Sequence, residues 1–311
     1  MANQKISVVI PVYNSENTLV ELTDRLAAVF SKGIEDYEII FIDDCSSDNS
    51  WDILQKISRK NNNIRIIHLQ RNFGQHNATL CGFHFAKGDY IVIMDDDLQH
   101  PPEEIPVLLN KIKEGYDVVY GRYIQKQHSR TENFFSHIFE KLMHNILKIP
   151  DSVYLSSFAI FSRDVIKNAC TFKGSYIFLA AVISESTSMD NVTDVEVIHN
   201  PRKKGQSNYS FLKYIKLSLN LIINHSVLPL TLISSLGFIT SILSILYGIS
   251  VIIRSLTDPS FGIIGWSSLM VAVSFLSGMI LLSLGIIGEY LRRVLVEVSY
   301  GQQYVIGEKY L

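Results

Sequence analysis

Neither common phosphate cradle is present in this chain. No Gly-x-Gly-x-x-Gly follows the first strand-like run and no Gly-x-x-x-x-Gly-Lys loop occurs, which disfavours a redox dinucleotide enzyme and a P-loop nucleoside triphosphatase. A charge excess is missing too. Lys and Arg number 28 against 30 Asp and Glu, a formal net charge of -2, so no nucleic-acid partner is expected. Cysteine is scarce: Cys45, Cys81 and Cys170 are scattered, odd in number and without metal-ligand spacing. They read as small buried hydrophobes in a reducing compartment rather than a disulfide framework. The hydrophilic N-terminus passes straight into a strand-like run with no signal-peptide pattern, so the catalytic part is expected in the cytosol.

What is present is sharply segregated apolar sequence. No charged residue occurs from Ser226 to Ile253 or from Ile263 to Gly288. Each run exceeds the ~20 residues that span a hydrocarbon core of ~30 Å. Two transmembrane helices are therefore expected, over about 227–253 and 263–288, in preference to two core helices of a soluble domain. Arg202, Lys203, Lys204, Lys213 and Lys216 precede the pair and Arg292 and Arg293 follow it. Positive charge outside the hairpin places both chain ends in the cytoplasm of a multi-pass inner-membrane protein. The expected organisation is a cytosolic domain over 1–205, a juxtamembrane amphipathic helix over 206–225, the hairpin over 226–289 and a cytosolic tail over 290–311.

The first part of the chain alternates short β-branched runs with amphipathic stretches. Strand candidates are Ile6–Pro11, Tyr37–Ile42, Ile64–Leu69, Tyr90–Met94 and Asp117–Tyr120. Helical patterns lie between them near Thr18–Phe30, Ser50–Arg59, His76–Ala86 and Pro102–Lys113, with capping-box spacing at Thr18 and Glu21. Such alternation means an α/β fold: a mostly parallel sheet with helices on both faces. Open sheets of this kind bind ligands beyond the carboxyl ends of their strands. Here each end is polar: Pro11-Val12-Tyr13-Asn14, Asp43-Asp44-Cys45-Ser46, Arg71-Asn72-Phe73-Gly74, Asp95-Asp96-Asp97 and Gly121-Arg122.

The acidic end stands out. Tyr90-Ile-Val-Ile-Met runs into three adjacent carboxylates, and Pro101-Pro102 then turn the chain toward a helix. Clustered buried carboxylates are costly without a cation or a proton. If extended geometry persists, Asp95, Asp97 and Gln99 share one face and Asp96 looks to the other. Oxygen ligands on a short loop suit Mg2+ or Mn2+; a solvated helix-capping turn is the bland alternative.

Taken together and in order, Pro11-Val-Tyr-Asn14, Ile-Asp43-Asp44-Cys-Ser-Ser-Asp48, Arg71-Asn-Phe-Gly74 and Asp95-Asp-Asp-Leu-Gln-His-Pro-Pro-Glu103 resemble the motifs of family 2 glycosyltransferases of the GT-A fold. With the apolar pair, the chain is similar to the polyprenyl-phosphate branch of that family. The resemblance implies that Pro11, Tyr13, Asp43, Asp44 and Asn72 serve the nucleotide. Asp95, Asp97 and Gln99 would hold the metal, with Asp96 nearer the sugar or ribose and Arg122 facing phosphate, so that Asp96, Asp97 and Arg122 form the catalytic set. Arg202-Lys-Lys-Gly-Gln-Ser207 also resembles the family. Arg202, Lys204 and Ser207, with Arg130, would meet the lipid phosphate or the diphosphate. Tetramers are known among relatives, so a homo-oligomer is expected by resemblance.

An apolar stripe from Phe134 to Leu147, flanked by Arg130, Lys141 and Lys148, reads as an interfacial helix over about 131–148, with Ser210–Asn224 as a second candidate. The chain departs from the family where many relatives carry Asp-Phe-Arg and it reads Ser157-Phe158-Ala159. The expected reaction is metal-dependent, inverting transfer of a sugar from a nucleotide diphosphate to polyprenyl phosphate. Two rivals are a processive polysaccharide synthase, whose Gln-x-x-Arg-Trp element is missing around Trp51 and Trp266, and an inactive membrane scaffold.

Overall fold

The structure is a computed structural model that describes residues 4–123, 150, 153–174, 177–198, 200, 228–257, 265–300 and 303–311. The chain forms two compact units, one comprising the residues to Tyr214 together with Gly301–Leu311, the other Ile215–Tyr300.

The first unit begins with β1 (Ile6–Val12), α1 (Leu19–Phe30), β2 (Tyr37–Asp43), α2 (Ser50–Ser58), β3 (Ile64–Leu69), α3 (Gln75–Phe85) and β4 (Tyr90–Ile93). A 3-10 turn at Pro102–Glu104 leads into α4 (Ile105–Ile112), followed by β5 (Val118–Tyr123), β6 (Ala159–Ser162), α5 (Arg163–Ala169), α6 (Leu179–Ser186) and β7 (Val192–Val197). The sheet is closed at one edge by β8 (Ile306–Tyr310), in the order β7-β5-β6-β4-β1-β2-β3-β8. Strands β4, β1, β2 and β3 are mutually parallel, as are β5 and β7. β6 runs antiparallel between β4 and β5, and β8 antiparallel to β3.

β1 is buried along its whole length because it is central and covered on both faces. Val9 joins one core with Ile40, Ile42 and the inner residues of α3, while Val8, Ile10 and Val12 join another with Leu19, Leu22 and Leu26 of α1. That alternation is the two-residue period of a strand between two helical layers. α1 buries Leu19, Leu22, Leu26, Val29 and Phe30, the apolar stripe expected of a helix lying on a sheet. Thr18 sits at its N-cap, but the capping box does not form: the Thr18 hydroxyl donates to the Ser15 carbonyl instead.

β5 does not extend the parallel set beside β4, because β6 intervenes. β6 is four residues long and β8 carries Gly307, Glu308 and Lys309, so neither shows the apolar alternation that announces a strand.

The second unit contains α7 (Leu228–Thr257, 30 residues) and α8 (Trp266–Tyr300, 35 residues). α8 carries an apolar window, Phe275–Arg292, that is long enough and apolar enough to cross a membrane, with none of its residues buried. Leu276, Ile280, Leu281, Leu284 and Ile287 stand exposed along it, an apolar surface of the kind that seeks lipid or a partner. In α7 a shorter apolar stretch, Leu230–Thr240, is found. The expected interfacial helix over 131–148 and juxtamembrane helix over 206–225 lie outside the described residues.

Candidate active site

The sheet reverses its winding at β1: β2 and β3 follow on one side and β4 on the other. β1 pairs with β4 only as far as Val9–Ile93, but with β2 as far as Val12–Asp43. Beyond Val9 the two strands part, which is why a proline is tolerated at position 11 inside a central strand. The gap is a cavity of about 290 Å³ lined by Pro11 and Val12 from β1 and Tyr13 just beyond it, Asp44 beyond β2, Asn72, Gly74 and Gln75 beyond β3, and Asp95, Asp96 and Asp97 beyond β4. Ligands bind at such a switch point because the loops there diverge.

The loops around it are strained. Asn14, Cys45 and Leu98 are the non-glycine residues with positive φ among those described, at 55°, 57° and 63°. Each follows the end of β1, β2 or β4. Left-handed non-glycine backbone costs about 1–3 kcal/mol per residue and collects at functional sites. Asn14 ties the first two loops together: its amide donates to the Ser46 hydroxyl at 2.9 Å and its Oδ1 accepts from the Ser47 amide at 2.8 Å.

Asp44 is buried and accepts from the Phe73 and Gly74 amides, each at 2.7 Å. Burial raises its carboxyl above the usual range against the pull of those two amides. It thereby clamps the loop that carries Asn72 to the end of β2. Asp43 differs from its neighbour. It is fully buried, pairs with His68 Nδ1 at 2.6 Å, and is not among the residues lining the cavity.

Strand geometry stops at Ile93, so the expected alternation through the acidic run does not hold. Asp95, Asp96 and Asp97 lie together on the cavity wall; beyond the left-handed Leu98, Gln99 is off it, and its backbone N–H donates to Asp97 Oδ1 at 3.1 Å. Asp96 accepts from the Tyr13 amide at 3.2 Å, and burial pushes its carboxyl up to about 7. Asp95 accepts from Gln75 Nε2 and from the Ser157 hydroxyl, each at 2.6 Å. Behind it, the buried His100 ring stacks between Tyr123 and Phe158, at 5.6 and 5.4 Å between centroids. The Asp95 amide lies 3.5 Å from His100 Nδ1, and His100 Nε2 bonds the Tyr123 hydroxyl. Desolvation holds His100 neutral, near 4.

Of the residues expected at a site, the structure assembles Pro11, Tyr13, Asp44, Asn72, Asp95, Asp96 and Asp97 around one cavity. Arg122 is not brought to it: half exposed on β5, it faces Glu196 at 3.2 Å and Asp194 at 3.7 Å on β7. Arg130, Arg202, Lys204 and Ser207 lie outside the described residues. Gln75, His100 and Ser157 carried no assigned role in the sequence, although Gln75 adjoins Gly74 and His100 sits inside the acidic motif.

Among the described residues no three His, Cys, Asp or Glu side chains converge to hold an ion unaided. Four carboxylates, Asp44, Asp95, Asp96 and Asp97, nevertheless border one open cavity. Mg2+ and Mn2+ take one or two carboxylates and complete their shell with water and phosphate oxygens. The residues thus fit a divalent ion held jointly with a diphosphate, and not a closed protein cage.

A mostly parallel sheet with a carboxylate-lined crevice at its switch point defines an α/β ligand-binding domain. The chain belongs to glycosyl transferase family 2, whose sequence profile matches residues 7–169, and it is a glycosyltransferase. It is 34% identical over 309 residues to an uncharacterized glycosyltransferase of Bacillus subtilis (strain 168), covering 98% of this chain and 94% of that one. It is also 34% identical over 314 residues to the undecaprenyl-phosphate 4-deoxy-4-formamido-L-arabinose transferase of Shewanella sediminis (strain HAW-EB3), covering 97% and 93%. Among solved structures, glucosyl-3-phosphoglycerate synthase from Mycobacterium tuberculosis in complex with Mn2+, uridine-diphosphate and glucosyl-3-phosphoglycerate shares the fold at a TM-score of 0.54 and 19% identity, over 71% of this chain and 78% of that one.

Proposed function

We propose that this glycosyltransferase moves a sugar, with inversion, from a nucleoside diphosphate to a polyprenyl phosphate such as undecaprenyl phosphate, using Mg2+ or Mn2+ at the cytoplasmic face of the inner membrane. The observation that carries the donor half is the meeting of Tyr13, Asp44 and three consecutive carboxylates in one crevice. The exposed Tyr13 ring offers a stacking surface to a base, and Asp44 holds the Asn72 loop beside it. Asp95 and Asp97 would hold the ion, and Asp96, anchored on the Tyr13 amide, faces the sugar or ribose. A bound divalent ion neutralises charge that develops on the leaving diphosphate.

The acceptor half rests on the relatives named for undecaprenyl phosphate and on the exposed apolar α8, with α7 as the second crossing. A phosphate monoester has its second pKa near ~6, so at cytosolic pH it is mostly a dianion and attacks without a strong general base. That chemistry suits a chain with Ser157 where many relatives place Asp. A single in-line displacement inverts the anomeric centre.

The test is to incubate the purified full-length chain with undecaprenyl phosphate, Mg2+ or Mn2+ and a panel of sugar nucleotides, and to weigh the extracted lipid by mass spectrometry. A gain of one sugar is expected for one donor. Gain of a phosphosugar, or transfer only to water-soluble acceptors, contradicts the proposal. Asp97→Ala should abolish the product without unfolding the domain, an outcome an inactive scaffold would not give.

A further inference from the structure

We infer that Ser157 and Gln75 are positioning residues that clamp the Asp95 carboxylate from both sides and so set the affinity of the donor site for its divalent ion. The inference rests on the metal-dependent reading above and deepens it. Asp95 receives a short bond on each oxygen: Gln75 Nε2 reaches Oδ1 at 2.6 Å and Ser157 Oγ reaches Oδ2 at 2.6 Å. The two donors come from separate parts of the sheet. Gln75 opens α3, whose following residues Ala78–Phe83 are buried on the core. Ser157 precedes β6, whose first residues pair with β4 at Ile93 and β5 at Tyr120. A carboxylate fixed by elements on two sides cannot swing about its own Cβ.

Both donors are neutral, so they fix the direction of the carboxylate at the edge of the cavity it borders without cancelling its charge. A carboxylate at position 157 would instead place a like charge at hydrogen-bond distance from Asp95, a repulsion that one of the two relieves by taking a proton. The hydroxyl of Ser157 orients Asp95 while leaving its charge to the ion. His100 lies behind Asp95, with Nδ1 3.5 Å from the Asp95 backbone amide. Partners of this kind that orient a ligating group typically account for 10- to 100-fold in metal affinity.

The experiment measures Mn2+ binding directly. Full-length chain in detergent micelles is titrated with Mn2+ in the presence of UDP, GDP or dTDP in turn, and free Mn2+ is followed by electron paramagnetic resonance. Ser157→Ala is expected to weaken Mn2+ binding by about 10- to 100-fold. It should raise the metal concentration for half-maximal turnover in parallel, with the KM for the lipid acceptor and the thermal midpoint unchanged. Ser157→Thr, which keeps the hydroxyl, should restore the affinity to within a few-fold. Equal Mn2+ affinity in wild type and Ser157→Ala overturns the clamp while leaving the metal-dependent reading intact. Failure of Ser157→Thr to rescue overturns it as well, since the hydroxyl would then not be the cause. If the wild type takes up no Mn2+ with any of the three nucleotides, the metal-dependent reading itself falls, and the clamp with it.

Discussion

Replacing Asp44 should loosen the loop that forms one wall of the cavity, by an amount the structure allows one to rank. Its two oxygens accept the Phe73 and Gly74 amides at 2.7 Å each, with the side chain buried. Asp44→Ala leaves the Phe73 amide without its acceptor, while the Gly74 amide keeps Asn72 Oδ1 at 3.1 Å. An unsatisfied donor costs about 1–3 kcal/mol and a lost bond about 0.5–1.5 kcal/mol, so the change costs roughly 2–4 kcal/mol, most of it at Phe73. Asp44→Asn keeps one acceptor and sets an amide group against the other N–H. It also removes a charge whose burial raises the Asp44 carboxyl pKa, so part of the loss is offset and the net cost is about 1–2 kcal/mol. Hydrogen exchange read by mass spectrometry on peptides covering Phe73 and Gly74 should show protection falling in the order wild type, Asn, Ala. The Ala variant should exchange at least ~10-fold faster at those amides, since each ~1.4 kcal/mol of local opening is a factor of ten. Protection in Asp44→Ala equal to wild type would refute the view that this carboxylate holds the loop.

Other outcomes follow from the packing and the charges. Gly82→Ala places a methyl group 2.3 Å from Val9 Cγ1 and 2.7 Å from Ile42 Cδ1; a destabilisation of about 1–3 kcal/mol is expected in denaturant titration, and a neutral result would mean α3 can lift from the sheet freely. His76, edge-on to Phe178 at 5.3 Å, is held near 4 by burial, below the ~6.5 of an unfolded chain. The unfolded state then binds more protons between those values, so stability falls as pH drops from about 6.5 toward 4, by on the order of 3 kcal/mol; thermal midpoints of His76→Gln should show a shallower slope than wild type. Arg122→Ala breaks an exposed ion pair with Glu196 and a 3.7 Å contact with the nearly buried Asp194, whose carboxylate keeps the Tyr154 amide at 2.7 Å, so its stability should change by only about 1 kcal/mol. If turnover with the sugar nucleotide is equally unchanged, Arg122 does not serve the diphosphate.

The parts of this fold that the sequence announced are those with strong local periodicity. β1 to β4 read clearly as apolar runs because they are central or covered on both faces, and α1 between them carries the stripe of one buried side, whereas α3 is buried over the consecutive residues Ala78–Phe83. β6 and β8 escaped because a four-residue strand and an edge strand bearing Glu308 and Lys309 have no period to detect. At the site, the residues at strand ends were legible as a chemical cluster, since topology alone gathers them. What the chain order concealed was side-chain direction. Asp43 and Asp44 are adjacent, yet one pairs with His68 inside the sheet and the other clamps a loop. Gln99 was grouped with Asp95 and Asp97 on strand parity, which the left-handed Leu98 breaks. Ser157 is separated from Asp95 by 62 residues, and no local pattern reports such a contact.

The antiparallel register of β8 on β3, from Ile66–Tyr310 to Leu69–Ile306, makes the two long helices an excursion between two strands of one sheet. A stop codon ahead of α7 would therefore discard more than the apolar hairpin. It would strip the final strand and uncover the hydrogen-bonding groups of β3, an invitation to aggregate. A version without the two long helices needs residues 303–311 joined after β7 by a linker that reaches from one edge of the sheet to the other.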